Sequence, residues 1–150
     1  MYKNRSITLV DVQNIAGIGV FTDQESLNVR SIIRMIVPTR KYDQTLVATG
    51  PETFLQVGLT WPDAKPLLGY GENGADYALQ ERIRDTQWVT DRFDHLYLAS
   101  GDHEFISEVG ALVSVGFPVT LIGREGSIFS GYKELGIEII ELNNGWGLAA

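Results

Sequence analysis

The sequence contains no cysteine and only two histidines, His95 and His103. The absence of cysteine excludes disulfide bonds, catalysis by a thiolate and zinc sites built on cysteine ligands. A metal site in this chain must therefore use oxygen and histidine ligands, and two histidines supply a soft or borderline metal poorly. The 19 Asp and Glu residues instead favour a hard cation such as Mg²⁺ or Mn²⁺.

The sequence also lacks long apolar runs and an excess of basic residues. No segment approaches the roughly 18 consecutive apolar residues that span a membrane, and no apolar core of a signal peptide follows Met1–Ser6. We therefore expect a soluble cytoplasmic protein. The 12 Lys and Arg against 19 acids give a net charge of −7, which argues against tight nonspecific binding of nucleic acid. That argument is weaker for an enzyme that binds divalent ions, because bound cations supply local positive charge.

The composition is that of a globular protein with one hydrophobic core. The chain has 150 residues, of which 44% are hydrophobic and 21% are charged, and this length fits a single domain. We expect the domain to span residues 1–150, with a core from about 6 to 142 and a loose tail over 143–150. Apolar Trp146 and Leu148 in this tail are candidates for packing on a second copy of the chain, so a homo-oligomer stays open.

Apolar segments of strand and helix character alternate along the chain. The predicted strands are 7–10, 45–49, one near 66–70, 93–99, 118–123 and 137–142. The predicted helices are 25–37, 52–58, 76–88, 104–115 and 127–135. Because the strands are short and continuously apolar, they indicate a sheet covered on both faces. The fold class predicted is α/β, a three-layer α/β/α sandwich with a mainly parallel central sheet.

Acidic side chains follow the predicted strands or open the helices behind them. Asp11 comes directly after the first strand, and Asp102 and Glu104 follow strand 93–99. Asp76 begins the helix that follows the third strand. Because ligands bind beyond the carboxyl ends of the strands in such sheets, we expect these four acids at one edge. Crowded carboxylates repel one another unless they bind a proton or a cation, so the pattern favours a Mg²⁺ or Mn²⁺ site.

Each acid also has a purely structural explanation. Asp102 is a suitable N-cap, and Glu104 suits the positive end of a helix dipole. Asp76 would follow an Asn73 cap in the same way, and Asp11 would close a turn with the backbone two residues later. A single acid does not distinguish the two explanations, whereas four acids at one edge favour the cation site.

Three short motifs resemble those of the NYN family, a branch of the PIN-like nuclease superfamily. The motifs Asp-x-x-Asn, Gly-Val-Asp-x-x-Leu and Ser-Gly-Asp-x-Asp-Phe are similar to Asp11–Asn14, Gly74–Leu79 and Ser100–Phe105. Each motif alone is weakly specific. Their order and spacing together are more specific, and the resemblance covers nearly the whole chain, from Ile7 to Leu142.

The resemblance implies a PIN-like fold and metal-dependent cleavage of RNA phosphodiester bonds, with Mg²⁺ or Mn²⁺ as cofactor and single-stranded RNA as substrate. The implied metal-site and catalytic carboxylates are Asp11, Asp76, Asp102 and Glu104. Asn14 is a candidate to hydrogen-bond a carboxylate or a phosphate, and the Ser100 hydroxyl is a candidate to orient Asp11 or Asp102. Both are expected to belong to the substrate-binding part of the site.

The sequence departs from the family pattern at three positions, which keeps a second function open. Glu104 stands in place of an aspartate, Val12 in place of a glycine, and Asn73 in place of a lysine. The alternative is therefore a catalytically inactive NYN-like module that binds RNA or protein. A receiver-type signalling domain also carries acids at strand ends, but it pairs two adjacent acids after the first strand, where this chain has only Asp11.

Several further side chains have both a functional and a structural interpretation. His103 is a candidate base or ligand, although a first-turn residue between two inward acids is expected to point to solvent. Tyr77 and Trp61 are candidates to stack a nucleobase, although burial is the commoner fate of such rings. The basic residues that are candidates for phosphate contacts or for a solvated face are Arg40, Lys41, Arg82, Arg84 and Arg124.

Overall fold

The computed structural model describes residues 4–17 and 22–143. The strands β1 to β6 are Ser6–Asp11, Gln44–Thr49, Lys65–Leu68, His95–Ala99, Val119–Arg124 and Glu138–Leu142. The helices α1 to α7 are Val12–Ala16, Asp23–Ile36, Phe54–Thr60, Gly74–Ile83, Thr86–Arg92, Ile106–Ser114 and Gly131–Glu134. A 3-10 turn, His103–Phe105, precedes α6. Of the helices described, none is long and apolar enough to cross a membrane. The predicted packing of Trp146 and Leu148 falls outside the described residues.

The six strands form one sheet in the order β3-β2-β1-β4-β5-β6, and every neighbouring pair is parallel. Apolar residues of α1, α2 and α3 pack on one face of the sheet, including Val12, Ile32 and Val57. Apolar residues of α4 to α7 pack on the other face, including Leu79 and Leu112. The predicted three-layer α/β/α sandwich is therefore confirmed, and the sheet is parallel throughout.

The strand order places a topological switch point beyond the carboxyl ends of β1 and β4, the position at which such sheets have a ligand-binding crevice. These two strands are neighbours, with Val10 opposite Ala99, but the chain leaves them toward opposite faces of the sheet. At such a switch point the connections separate and leave space for a ligand. Asp11 ends β1, and Ser100 follows β4 directly, so both border this crevice.

Three helical segments differ from the sequence prediction. Helix α1 begins directly after β1, because the Asp11 side chain accepts a hydrogen bond from Asn14 N and caps it. The segment predicted as one helix over 76–88 forms α4 and α5, since Asp85 caps α5 by accepting from Trp88 N at 3.0 Å. The helix predicted over 127–135 is shorter, and it begins only at Gly131.

Close backbone contact between Gly69 and Gly74 fixes the start of α4. A Cβ atom at Gly69 would lie 2.2 Å from the carbonyl carbon of Gly74, which is a backbone atom. Since side-chain rotation cannot relieve this clash, a larger residue at either position must displace α4 from the end of β3. The position of Asp76, in the first turn of α4, therefore depends on glycine at both positions.

Gly69→Ala is expected to destabilise the protein, whereas Gly58→Ala is its matched control. The clash at Gly69 should lower the free energy of unfolding by about 1–3 kcal/mol, as overpacking does elsewhere. Gly58 is exposed within α3 with open space around its Cα, so alanine there should raise the free energy of unfolding by about 0.5–1 kcal/mol. Urea unfolding followed by circular dichroism measures both. Equal effects of the two changes would contradict the backbone contact.

Candidate metal site

Asp11 lies at the floor of the crevice and is only 7% exposed. Its Oδ1 accepts a hydrogen bond from Asn14 N at 3.2 Å, so this oxygen caps α1. The backbone of Gln13, two residues later as the sequence predicts, also hydrogen-bonds to the Asp11 carboxylate. Burial is the main cause of the raised pKa of Asp11, and the nearby charge of Asp102 raises the pKa further.

Asp102 lies across the crevice and is held by its neighbours on several sides. Its Oδ1 accepts from Glu104 N at 2.9 Å, which caps the 3-10 turn as the sequence predicts. Its backbone N donates to the Ser100 hydroxyl at 3.2 Å, and its carbonyl accepts a hydrogen bond from the Tyr132 hydroxyl. Asp102 therefore has little freedom to move, while its side chain remains 25% exposed toward the crevice.

Asp76, unlike Asp11 and Asp102, caps no helix or turn within the described residues. It is 5% exposed, and its Oδ1 is buried without a hydrogen-bond partner among the described residues. Asn73 is the N-cap residue of α4, as the sequence predicts, but it takes a left-handed conformation with φ of 60° and its side chain makes no capping hydrogen bond. Asp76 lies in the first turn of α4, as the sequence predicts, where the helix dipole favours an acid, but that position does not require a buried carboxyl group.

Burial and neighbouring acids raise the pKa of Asp76 to about 9. Burial makes the largest contribution, and contact with Asp11 and the charges of Asp11 and Asp102 add to it. Two ionised carboxylates cannot donate to each other, so at neutral pH Asp76 holds a proton when no cation is bound. Asp76 thus lies close enough to both other acids to interact with each of them. The compact cluster of ligand atoms within the described residues is nevertheless that of Asp102, His103 and Glu104, and Asp11 and Asp76 are not part of it.

The remaining acid, Glu104, lies on the outer side of Asp102 together with His103. The His103 Nδ1 is 3.3 Å from Asp102 Oδ1, and its Nε2 is 3.6 Å from Glu104 Oε1. One ligand atom from each of these three residues falls within 4.8 Å of the others. The His103 side chain is 67% exposed, as the sequence predicts, yet it also contacts both carboxylates. The site therefore has a buried part around Asp76 and an open part around His103.

Asn14 and Ser100 position the two sides of the crevice. The Asn14 Oδ1 accepts from Gly101 N at 3.1 Å, which ties the residues after β1 to the residues after β4. Ser100 is fully buried, and its hydroxyl accepts from Asp102 N. These contacts set the separation of Asp11 and Asp102. The predicted contact of Asn14 and Ser100 with a substrate stays a prediction.

The electrostatics of the site suit a hard divalent cation. Within residues 4–17 and 22–143, no Lys or Arg lies within ion-pairing distance of Asp11, Asp76, Asp102 or Glu104. The ligand atoms that these acids offer to a metal are carboxylate oxygens, and Mg²⁺ and Mn²⁺ prefer oxygen ligands. The buried Oδ1 of Asp76, which has no hydrogen-bond partner among the described residues, is an oxygen that a cation would bind. The residues present therefore fit such an ion.

The other sequence candidates have separate locations. Trp61 is 2% exposed and packs in the core beneath α2 and α3, which is the burial expected for such rings and excludes its stacking on a base, whereas Tyr77 is 53% exposed. Arg40 lies at the opposite edge of the sheet, where it pairs with Asp94 at 2.7 Å. Arg124 donates from Nε to the Asn14 carbonyl at 3.2 Å, so it borders the crevice.

Two residues that border the site belong to none of the three sequence motifs. Phe129 and Tyr132 lie beside the residues after β4 because the segment that follows β5 passes close to Gly101. A Cβ atom at Gly101 would lie 2.2 Å from the Ser127 carbonyl oxygen. Phe129 N donates to the Gly101 carbonyl at 2.9 Å. A contact between segments so far apart in the chain leaves no local signal in the sequence.

Comparison of the sequence with protein-family models and with curated proteins finds no match. The functional interpretation therefore depends on the residues of the site, their burial and charge, and the three motifs that resemble the NYN family. Of these, the burial and the contacts of the acids are independent of the motif resemblance.

Proposed function

We propose that the chain is a Mg²⁺- or Mn²⁺-dependent endoribonuclease that acts on single-stranded RNA in the cytoplasm. The observation that carries the proposal is Asp76, a buried carboxyl group without a capping role that lies against two further acids. An acid with a purely structural role would cap a helix, pair with a base or be exposed to solvent. Within the described residues Asp76 does none of these, and a bound cation accounts for its burial.

In this proposal Asp11, Asp76 and Asp102 hold the cation, and Glu104 completes the site or orients the attacking water. A bound Mg²⁺ or Mn²⁺ lowers the pKa of a water molecule to give a nucleophile and stabilises charge on the phosphate. Asn14 and Ser100 keep the two acid-bearing segments at a fixed separation. The side chains of Asp102 and Glu104 are 25% and 27% exposed, so solvent and substrate reach both carboxylates.

The test is cleavage of single-stranded RNA by the purified protein with Mn²⁺, by the wild type and by Asp102→Asn. Loss of a residue that only supports a metal ligand already costs about 10–100-fold. Loss of a carboxylate that contacts the cation should therefore lower kcat/KM at least about a hundredfold. Asp91→Asn is the matched control, because Asp91 is an exposed acid of α5 whose side chain accepts a hydrogen bond from Gln87. Its activity should equal that of the wild type.

Three outcomes separate the possible functions. Cleavage that disappears in Asp102→Asn and persists in Asp91→Asn supports the ribonuclease. Cleavage that is equal in all three proteins identifies a contaminating nuclease and contradicts the proposal. RNA binding without any cleavage by the wild type favours the alternative, an inactive RNA-binding module.

A further inference from the structure

Phe129 presents an exposed aromatic ring that its neighbours hold in place. The ring is 42% exposed. It packs edge-on against Tyr132, with ring centroids 6.0 Å apart at 87°, and against His103, with centroids 5.9 Å apart at 62°. A Cβ atom at Gly131 would lie 2.5 Å from Phe129 Cε2, so the glycine gives the ring its space. Single exposed apolar rings are common on proteins, but this ring is fixed on several sides.

The Phe129 ring is also tied to the acidic site by three contacts. Its backbone N donates to the Gly101 carbonyl at 2.9 Å. Tyr132, which packs against the Phe129 ring, donates from its hydroxyl to the Asp102 carbonyl. His103 contacts the Phe129 ring on one side and the Asp102 carboxylate on the other, at 3.3 Å. The exposed ring surface of Phe129 and His103 therefore adjoins the open part of the candidate metal site.

The charge of the protein makes such a surface useful for binding RNA. The net charge is −7, and the site carboxylates have no basic partner among the described residues, so phosphate contacts offer limited affinity. Stacking of a base on an aromatic ring needs no charge, and every base offers a flat face for it. In a duplex these faces are covered by neighbouring base pairs, so only an unpaired base can stack on a protein ring.

We propose that Phe129 and His103 form a stacking surface for an unpaired nucleobase of an RNA strand that lies across the acidic site. The inference rests on the proposed function and names the part of the substrate that the site recognises. It also predicts a preference for single-stranded RNA that does not depend on a basic groove. Tyr132 acts as a positioning residue, because it contacts the Phe129 ring and the Asp102 backbone at once.

The experiment measures binding of a fluorescently labelled single-stranded RNA octamer by anisotropy. Ca²⁺ supplies the divalent charge, and a gel run after the titration checks that the RNA stays intact. Phe129→Leu keeps apolar volume but has no aromatic face, and it should weaken binding about 5- to 100-fold, the range for loss of one stacked base. Phe129→Trp should restore binding to within threefold of wild type. Tyr42→Ala removes a ring that is 63% exposed near the start of β2, at the opposite edge, and should leave binding unchanged.

A series of octamers, each with one abasic position, identifies the stacked base. One position should weaken binding to the wild type by the same factor as Phe129→Leu, and should cause no further loss in that variant. Equal binding by wild type and Phe129→Leu overturns the inference, as does equal affinity for single-stranded and duplex RNA. Circular dichroism confirms that Phe129→Leu is folded.

The result also separates this inference from the proposed function. If the protein binds RNA through Phe129 but does not cleave it with Mn²⁺, the stacking surface stands and the ribonuclease proposal fails. If the protein cleaves RNA and Phe129→Leu has an unchanged Kd and KM, only the stacking inference fails. Absence of RNA binding in both proteins overturns the stacking surface, and a protein ligand then becomes the explanation for the exposed ring.

Discussion

Asp76→Asn should raise the thermal stability of the cation-free protein, by about 5–10 °C at pH 8 and by much less at pH 5. The pKa of Asp76 is raised from 3.8 to about 9, mainly by burial. Between these two values the folded protein holds a proton that the unfolded chain has released, so stability falls as the pH rises. Asparagine cannot ionise, and its amide can donate to Asp11 as the protonated acid does. The stability of the variant therefore does not fall in this way, and the difference in melting temperature between variant and wild type grows as the pH rises.

The measurement is the melting temperature of both proteins in EDTA, at several pH values between 5 and 8. Asp91→Asn, which changes an exposed acid of α5, should melt like the wild type at every pH. The same Asp76→Asn protein should have lost cleavage of RNA with Mn²⁺, because a neutral amide cannot replace the carboxylate. A variant that is less stable than wild type at pH 8 would show that Asp76 is ionised and has a favourable partner, which contradicts the cation site.

Mn²⁺ should stabilise the wild-type protein by about 5–10 °C at a free concentration a hundred times the dissociation constant. Ligand binding to the folded state at that ratio adds about 2.7 kcal/mol, and a protein of this size gains about 2–4 °C for each kcal/mol. The proton on Asp76 competes with the cation for the same oxygens. The stabilisation should therefore increase from pH 6 to pH 8, which is the direction opposite to the pH dependence of the cation-free protein.

Two controls make the Mn²⁺ experiment specific. Asp76→Asn and Asp102→Asn should show only a small shift, since each removes one carboxylate of the site. KCl at the same ionic strength measures the general effect of screening on a protein of net charge −7. An equal shift in the wild type and in both variants would mean that Mn²⁺ binds elsewhere, and the site would then lose its main support.

The positions of the acids at one edge could be predicted because they depend on local patterns. The apolar run before Asp11 and the one before Ser100 predict strands, and parallel strands bring their carboxyl ends to the same edge of the sheet. Helix α2 was predictable too, since its apolar residues repeat with helical spacing and Pro38 follows its end. These features need only residues that are neighbours in sequence.

The features that the sequence does not reveal depend on contacts between distant segments. Trp61 looks like a candidate for stacking until α2 and α3 cover it in the core. Phe129 looks like one residue of a helix, yet it lies beside His103 because the segment after β5 packs closely on Gly101. The short α1 is missed because five residues are too few for a helical repeat, and its cap comes from the same Asp11 that borders the site.

The strand order across the sheet also affects when the site forms during synthesis. On a ribosome β1, β2, β3 and α4 emerge before β4, although β4 is the direct neighbour of β1. Asp11 and Asp76 are therefore both made before Asp102, and Asn14 is made 87 residues before Gly101, its hydrogen-bond partner. Under the proposed function, the nascent chain cannot cut the messenger and ribosomal RNA around it until β4 has been inserted beside β1.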